Sequence, residues 1–267
     1  MSSSCPICRS ATTEHGRGEI RHQYERALRR CERCGFVFIE NVTWLEEAYA
    51  EPINVSDTGY VARNILCRDR VRTLIELLLN PNGRFLDHAA GYGMFVRLMR
   101  DAGYDFRWSD LYCENLFARG FEAPDDGAER YEAVTAFEVF EHWVNPLEEI
   151  TKLVALTDCL IFSTVFLPQP APAPDKWWYY GLDHGQHVSF FSRQTFEFIA
   201  GKLGFHFVSN GSDFHMLAKR PISESTFKRV DRRLWRFWIG AIRQRPSLTW
   251  RDHEDVTDRF YRTETKR

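Results

Sequence analysis

The stretch FLDHAAGYGM, residues 85–94, decides the fold of this chain. An apolar strand pattern ends at Asp87, small residues follow, and a helical pattern begins at Met94. A strand, a turn with Gly91 and Gly93, and a helix in this order let a ligand approach backbone N–H groups closely. The same order of residues also suits a plain strand-to-helix turn. On its own the stretch therefore predicts a βα unit and leaves ligand binding open.

Strand and helix patterns alternate on both sides of this stretch, which is typical of a doubly wound α/β sheet. The predicted strands are 84–88, 105–109, 133–137 and 160–166. The predicted helices are 61–79, 94–102, 114–119, 146–156 and 194–203. Two last strand patterns, 205–209 and 214–219, flank an Asn-Gly-Ser turn and predict an antiparallel hairpin. We therefore predict a Rossmann-like, mostly parallel sheet that ends in this hairpin.

The composition excludes several classes of protein. The chain has 267 residues, 44% of them hydrophobic and 27% charged, which suffices for one large domain with small additions. A formal net charge of −2 provides no global basic field for a nucleic-acid backbone, so we expect no nucleic-acid partner. No stretch approaches the roughly 20 apolar residues of a membrane span, and the first ten residues lack an apolar signal core. We therefore expect a cytoplasmic protein.

Four of the seven cysteines form two CxxC pairs, Cys5 with Cys8 and Cys31 with Cys34. Two thiolates three positions apart share one cation in a tight turn, and two such turns complete a closed, tetrahedral zinc site. Redox-active thiols are the alternative, although a redox pair needs no second pair. Little apolar periodicity precedes residue 45, as expected of a module that a metal stabilises. We predict a zinc-binding module over residues 1–45.

Two carboxylates narrow the choice of ligand for the turn at 89–93. Asp87 ends one predicted strand and Asp110 ends the next, where an acid suits the hydroxyls of a ribose. Negative charge at Asp87 disfavours the pyrophosphate of a nicotinamide or flavin dinucleotide and favours an ammonium or sulfonium group. S-adenosylmethionine carries both cationic groups. The two acids therefore favour S-adenosylmethionine.

These residues resemble the class I S-adenosylmethionine-dependent methyltransferases, whose first motif reads acid-x-Gly-x-Gly-x-Gly. Asp87, Gly91 and Gly93 match this motif, and Ala89 stands where it has its first glycine. The resemblance covers roughly residues 5–219 and includes the run FEVFEH at 137–142. The CPIC…CERCG module and the runs WWYY at 177–180 and HGQHVSF at 184–190 resemble sugar C-methyltransferases and related bacterial enzymes.

The resemblance implies a set of cofactor contacts. They are Tyr60, Arg63, Asp87, Ala89, Gly91 and Gly93 around the methionine part, Asp110 at the ribose, Leu111 at the adenine, and Phe137 and Glu138 beside the transferable methyl group. Among these, Tyr60 and Arg63 precede the first strand, where such enzymes fold a lid over the cofactor carboxylate. The second half of the chain is then left to bind the acceptor.

Methyl transfer to a hydroxyl or to an acidic carbon requires a group that removes a proton. His142, His184 and His187 are candidates because imidazole titrates near neutral pH, and Glu141 adjoins His142. As alternatives, the histidines order their loop or contact the substrate, and Glu141 and His142 belong to the start of the helix at 146. The same residues, with Asp183, could also surround a divalent cation.

An aromatic run follows a proline-rich segment, residues 167–176. Its members Trp177, Trp178, Tyr179 and Tyr180 predict a platform for a sugar, because flat side chains stack on sugar faces with little loss of entropy. The alternative is that they anchor the loop in the core.

The C-terminal residues 228–245, KRVDRRLWRFWIGAIRQR, predict a basic amphipathic helix. Its predicted apolar side comprises Val230, Leu234, Phe237, Trp238 and Ile242. Such a helix suits peripheral contact with a membrane, and it equally suits packing on the domain or in a homodimer. We expect the polar residues 246–267 to be mobile.

The sequence thus predicts a zinc-binding module over 1–45, an S-adenosylmethionine-dependent methyltransferase domain over 46–220 and a basic helical extension over 221–267. The predicted acceptor is a small molecule, a nucleotide-linked or glycan sugar, methylated on oxygen or carbon. Three alternatives stay open. One is a catalytically idle cofactor-binding module, in line with Ala89. Another is a nucleic-acid methyltransferase, against which the near-neutral charge argues. The third is a nicotinamide-dependent enzyme, which titration with the cofactors would distinguish.

Overall fold

The computed structural model describes residues 4–49, 57–124, 127 and 129–262. The strands are β1 (Thr13–Ile20), β2 (Tyr24–Arg30), β3 (Val37–Ile39), β4 (Arg84–His88), β5 (Asp105–Ser109), β6 (Ala133–Phe137), β7 (Cys159–Ser163), β8 (Ser189–Phe190), β9 (His206–Ser209) and β10 (Phe214–Ala218). The α-helices are α1 (Leu45–Ala48), α2 (Tyr60–Leu78), α3 (Met94–Asp101), α4 (Pro146–Ala155), α5 (Arg193–Leu203), α6 (Glu224–Phe227), α7 (Arg233–Ile242) and α8 (Thr249–Thr257). Short 3₁₀ segments cover Phe140–His142, Trp178–Tyr180 and Lys228–Asp231, and a π-helical turn covers Asp258–Arg262.

The larger sheet has six strands in the order β5-β4-β6-β7-β10-β9. The strand β4 pairs in parallel with β5 and β6, so that Asp87 lies opposite Trp108 on one side and Thr135 on the other. The strand β10 pairs antiparallel with β7 and β9. These pairings confirm the predicted Rossmann-like sheet with its terminal hairpin.

The smaller sheet is antiparallel and has the order β1-β2-β3-β8. Its strand β3 pairs with β8, so a segment from residue 189 completes a sheet that begins at residue 13. Trp44, Tyr180 and Phe190 are buried in the apolar cluster beneath it. Aromatic and branched side chains in this cluster explain why short strands with many charged residues form a stable sheet.

The chain divides into two compact units. The first unit comprises residues 1–56 and 136–224, and the second unit comprises residues 57–135 and 225–267. The boundaries predicted at 45 and 220 differ from this division. The physical reason is the pairing of β3 with β8, which groups the N-terminal strands with the second half of the chain.

The predicted helix at 114–119 is wrong. Its backbone N–H groups bond elsewhere: Leu116 and Phe117 donate to the carbonyl oxygen of Tyr92, and Ala118 donates to the side chain of Asn115. Because each backbone N–H requires only one acceptor, these hydrogen bonds replace those that a helix would form.

The C-terminal extension differs from its prediction in two respects. The predicted single helix at 228–245 is shorter, because a 3₁₀ turn with buried Val230 precedes α7, which begins at Arg233. The end expected to be mobile is helical through residue 262, with Asp252 of α8 buried against Arg100. Residues 263–267 lie outside the described residues. Among the helices that the structure describes, none is both long and apolar enough to cross a membrane.

Candidate active site

The turn between β4 and α3 has the backbone of a ligand-binding loop. Ala89, Gly91 and Gly93 have φ angles of +53°, +53° and +84°, a region that glycine adopts without strain. A β-carbon on Gly93 would lie 2.8 Å from Oδ1 of Asn115, so this position requires glycine. Ala89 adopts the same left-handed conformation although it carries a β-carbon, and it is therefore strained.

Asp87 lies at the end of β4, directly before this loop, and only 3% of it is exposed. Its Oδ1 accepts a hydrogen bond of 2.6 Å from the hydroxyl of Thr135. Burial raises the pKa of Asp87 to about 8, the hydrogen bond from Thr135 lowers it, and the nearby carboxylate of Asp110 raises it further. A cation beside this carboxyl group would favour its charged form.

Asp110 organises the loop from the end of β5. Its Oδ2 accepts the N–H of Gly91 at 2.8 Å, and its Oδ1 accepts the N–H groups of Tyr112 and Cys113 at 2.7 and 2.8 Å. An ionised carboxylate has about four sites for hydrogen bonds. Asp110 therefore keeps capacity for about one more donor, such as one ribose hydroxyl.

The start of α2 covers the same loop. A β-carbon on Gly91 would lie 3.4 Å from the hydroxyl of Tyr60, which also bonds to the backbone of Tyr92. Burial, and next the carboxylate of Asp87, raise the pKa of Tyr60 to about 12, so this hydroxyl keeps its proton. Arg63 instead forms an ion pair with Asp57, with N–O distances of 2.9 and 2.7 Å.

The indole of Trp108 and the side chain of Leu111 flank the loop region. Trp108 donates a hydrogen bond of 2.8 Å from Nε1 to the carbonyl oxygen of Gly91 and so fixes the turn. Leu111 is 86% exposed, which leaves an apolar side chain directly after Asp110 open to a ligand. The second unit therefore brings together most of the cofactor contacts that the resemblance implies.

Phe137, the last residue of β6, and Glu138, which follows it, belong to the first unit. Phe137 stacks on Phe214 with ring centroids 6.1 Å apart. Glu138 has a φ of +53°, and both its backbone N–H and its carboxylate bond to the hydroxyl of Ser163, at 2.9 and 2.5 Å. A strained, well-fixed glutamate at the carboxyl end of a strand is a frequent feature of functional sites.

Three histidines of the first unit lie together, with the ring of His187 next to the other two and to Tyr179. The ring of His187 lies 4.6 Å from that of Tyr179, 4.9 Å from that of His184 and 5.1 Å from that of His142, measured between centroids. Glu141 is fully buried, and its Oε1 lies 4.0 Å from Nε2 of His142. The predicted catalytic residues thus form one cluster, which we call the histidine cluster.

Hydrogen bonds fix the protons of these histidines. Nδ1 of His142 lies 3.0 Å from the carbonyl oxygen of Gln186, and Nδ1 of His187 lies 2.7 Å from that of Tyr179. Because a carbonyl oxygen only accepts, both Nδ1 atoms carry protons and both neutral rings have an unprotonated Nε2. His184 is the opposite tautomer, since its Nδ1 accepts the N–H of Gln186.

Burial lowers the pKa of all three histidines. The pKa of His187 falls well below its usual value of 6.5, first by burial and next by the neighbouring His142. For His142, burial acts against the carbonyl groups of Gln186 and Glu138, which favour the charged ring. The pKa of His184 is lowered by burial and by His142. At neutral pH these rings are therefore uncharged, and Nε2 of His187 is available to accept a proton.

The aromatic run splits into buried and exposed members. Tyr179 and Tyr180 are 2% and 0% exposed, and Trp177 packs against the same core cluster. Trp178 is 78% exposed. Of the four side chains predicted as a platform, Trp178 is thus the one with a face open to a ligand.

The four paired cysteines converge at one point. All are buried, and their Sγ atoms lie within 4.8 Å of one another, with Cys5 to Cys34 at 3.6 Å and Cys8 to Cys31 at 3.3 Å. In a tetrahedral zinc site with Zn–S bonds of about 2.3 Å, sulfur atoms are about 3.8 Å apart. The hydrogen bond with Cys34 lowers the pKa of Cys5 to about 5, so that one thiolate is already favoured.

Sequence reasoning missed residues that hold the site from neighbouring strands. Thr135 and Ser163 each bond to a predicted site carboxylate, and Trp108 holds the carbonyl group of the loop. A polar side chain within the apolar run AVTAF at 133–137 was an available signal for Thr135, because buried hydroxyls require a partner.

The family model of the methyltransferase domain matches residues 61–210, more than half of the chain. The chain belongs to this family. It is an S-adenosylmethionine-dependent methyltransferase of class I, as the motif at 87–93 predicted. None of the curated proteins matches the sequence.

The chain is similar to solved structures at low sequence identity. The magnesium protoporphyrin IX methyltransferase of Synechocystis PCC 6803, solved with bound SAH, is 17% identical with a TM-score of 0.45, over 65% of this chain and 90% of that one. The plantazolicin methyltransferase in complex with SAH is 11% identical with a TM-score of 0.48, over 66% of this chain and 93% of that one.

Proposed function

We propose that this methyltransferase binds its donor on the loop at 89–93 and methylates a sugar-containing small molecule. One observation carries the donor site: Asp87 is buried beneath a left-handed turn that Asp110 and Trp108 hold open. A carboxyl group in this place suits a cationic ligand, which favours its charged form, and in that form it repels the pyrophosphate of a dinucleotide.

The residues of the loop fit S-adenosylmethionine. When bound, this donor supplies a methyl group on a positively charged sulfur. Asp87 offers its charge to the cationic part, and Gly91 and Gly93 allow the left-handed turn that places backbone N–H groups beside the ligand. Asp110 has capacity for about one hydroxyl of the ribose, and Leu111 offers an apolar surface to the adenine. Tyr60 lies over the same loop, in support of its proposed place in the lid.

We assign proton removal to the histidine cluster. Nε2 of His187 is unprotonated because Nδ1 donates to Tyr179, and burial keeps the ring neutral. A neutral imidazole held in one orientation is suited to take a proton from a hydroxyl or from a carbon beside a carbonyl group. His184 carries its proton on Nε2 and is therefore suited to donate a hydrogen bond to the acceptor. The roles of Glu138 and Phe137 beside the methyl group follow from the resemblance alone.

The exposed indole of Trp178 supports a sugar as acceptor, because aromatic faces stack on the C–H faces of pyranose rings. We propose nucleotide-linked sugars as the first class of acceptor to assay. A Trp178→Ala variant then has a higher KM for the acceptor and an unchanged affinity for the donor.

We further propose that the four paired cysteines hold a structural zinc ion. Their burial and convergence support a closed site without a position for substrate. Thiolate ligation of this kind suits a reducing compartment, in line with a cytoplasmic location.

The extension supports a further proposal, peripheral contact with an anionic membrane surface. Leu234, Phe237, Trp238 and Ile242 of α7 are 56–72% exposed, and no described residue of this helix is buried. Arg232, Arg233 and Arg243 are exposed beside them. Sedimentation with vesicles of phosphatidylglycerol and phosphatidylcholine tests it, with Trp238→Ser expected to weaken binding and vesicles without phosphatidylglycerol as the control.

The function itself is tested in two steps. Isothermal titration measures the affinity for S-adenosylmethionine, and transfer of a labelled methyl group to a panel of nucleotide-linked sugars then measures turnover. Donor binding together with transfer supports the proposal. Donor binding without transfer to any sugar supports a catalytically idle module or another acceptor class, and the absence of donor binding refutes the assigned loop.

A further inference from the structure

We propose that Glu141, His142 and His187 form a binding site for one divalent first-row transition-metal ion, separate from the cysteine cluster. One ligand atom from each of the three residues lies within 4.8 Å of the other two. The proposal goes beyond the proposed function, because it requires neither the methyl donor nor an acceptor.

The geometry requires only small side-chain rotations. Metal–ligand bonds of about 2.1 Å place two ligands of one ion at most about 4.2 Å apart. Glu141 and His142 are already at 4.0 Å, measured from Oε1 to Nε2. The side chain of His142 is 20% exposed, so an ion can reach the cluster, whereas Glu141 is fully buried behind it.

The hydrogen bonds around the cluster are those of metal-binding histidines. Proteins orient such a histidine by letting its other ring N–H donate to a carboxylate or to a backbone carbonyl group. Here Nδ1 of His142 donates to Gln186 and Nδ1 of His187 donates to Tyr179. Both rings are thereby held in one orientation with an unprotonated Nε2, and the neutral tautomer needs no deprotonation before a metal binds.

The ligand set also selects the kind of ion. Two imidazoles and one carboxylate suit Mn²⁺, Fe²⁺, Co²⁺ or Zn²⁺, whereas four thiolates select soft ions and zinc. Three protein ligands leave coordination positions open, as in catalytic rather than structural sites. A metal ion and a proton compete for Nε2 of His187, so an occupied site replaces the proposed base by a Lewis acid beside the acceptor.

Mn²⁺ distinguishes the two clusters, because it prefers oxygen and imidazole ligands over thiolates. The experiment takes the full chain with one equivalent of zinc, the amount that the four cysteines bind, and removes any excess zinc. It then titrates this protein with Mn²⁺, without donor or acceptor, and follows free Mn²⁺ by electron paramagnetic resonance. We expect one Mn²⁺ per chain, with binding at least tenfold weaker in His187→Ala and Glu141→Gln. His184→Ala is the matched control, since this ring adjoins His187 but is not a proposed ligand, and it should bind as the wild type does.

Two results would overturn the proposal: a wild-type protein that leaves all Mn²⁺ free, or His187→Ala that binds it as tightly as the wild type. Electron spin echo modulation provides a measurement that needs no variant, since imidazole nitrogen couples to bound Mn²⁺. Absence of nitrogen modulation in the bound species would also refute the site. Affinity for S-adenosylmethionine is measured in parallel, so that failure of the donor site and failure of the metal site are distinguished.

Discussion

At the scale of single residues, Asp87 controls how donor binding depends on pH. In the free protein the pKa of Asp87 is about 8, so below this pH the carboxyl group is mostly protonated. Because a cation binds the charged form, binding of the donor at lower pH must displace this proton. We expect the affinity for S-adenosylmethionine to fall as pH decreases below about 8, by up to about tenfold per pH unit. Isothermal titration between pH 6 and pH 9 measures this dependence.

Asp87→Asn is the control for that experiment, because it keeps an acceptor for Thr135 and cannot ionise. The ratio of wild-type to variant affinity removes the titration of the donor's own amino group. A ratio that does not change with pH would show that Asp87 does not face the cation.

The same carboxyl group affects stability. Its pKa is raised above the ordinary value of 3.8, so the folded state binds more protons than the unfolded state between about pH 4 and pH 8. Stability therefore decreases as pH rises through this window and is constant above it with respect to this group. At pH 8.5 and without donor, Asp87→Asn should melt at a higher temperature than the wild type, and at pH 4 the difference should be small.

Ala89 is a second residue of interest at this scale, because its strained backbone lowers the free energy of unfolding. Its φ of +53° is accessible to glycine without strain, so Ala89→Gly should raise the free energy of unfolding by roughly 1 kcal/mol. Ala90, whose φ lies outside the left-handed region, provides the matched control, because Ala90→Gly should lower that free energy by about 0.5–1 kcal/mol. Urea unfolding measures both variants, and equal effects of the same sign would contradict the assigned strain.

At the scale of elements, the sheet β1-β2-β3-β8 depends on the cysteine cluster. Cys31 directly follows β2, and Cys5 and Cys8 lie on the segment before β1. Cys31→Ser should release about one zinc ion per chain and lower the melting temperature, as measured by metal analysis and calorimetry. Cys113→Ser should retain zinc, since Cys113 lies outside the cluster. An unchanged metal content in Cys31→Ser would refute the site.

Asp252 anchors the helix α8 through ion pairs with Arg100 and Arg97. Asp252 is 3% exposed, and its two oxygens accept hydrogen bonds of 2.8 and 2.7 Å from the guanidinium of Arg100. Removing one partner of a buried pair costs about 3–5 kcal/mol when the other charge is left unpaired, and we expect the lower end of this range because Arg100 keeps its pair with Asp105. Asp252→Ala should therefore destabilise the second unit and expose α8 to proteases. Asp255→Ala on the same helix should cost at most about 0.5 kcal/mol, because its pair with Arg251 is on the surface.

At the scale of the whole molecule, sequence patterns predicted those features that depend on residues close together in the chain. The strand, turn and helix around Asp87 and the pairs of cysteines follow from spacing alone. Contacts between distant segments did not follow from it: β8 completes the smaller sheet, and Asp252 meets Arg100. Which aromatic residues of the run 177–180 are buried also did not follow from the sequence. Tyr179 and Tyr180 lie in the core, although the sequence there shows no periodicity that indicates burial.

The proposed function assigns donor binding and proton removal to different residues. Asp87 and Asp110 belong to the second unit, and the histidine cluster belongs to the first. His187→Asn should therefore abolish turnover and leave the affinity for S-adenosylmethionine unchanged, because it removes the proposed base and no donor contact. Asp110→Ala should instead lower the affinity for S-adenosylmethionine at least tenfold, since it removes three hydrogen bonds that shape the loop. Radiometric methyl transfer and isothermal titration on both variants give the two quantities, and full activity in His187→Asn would remove this residue from the mechanism.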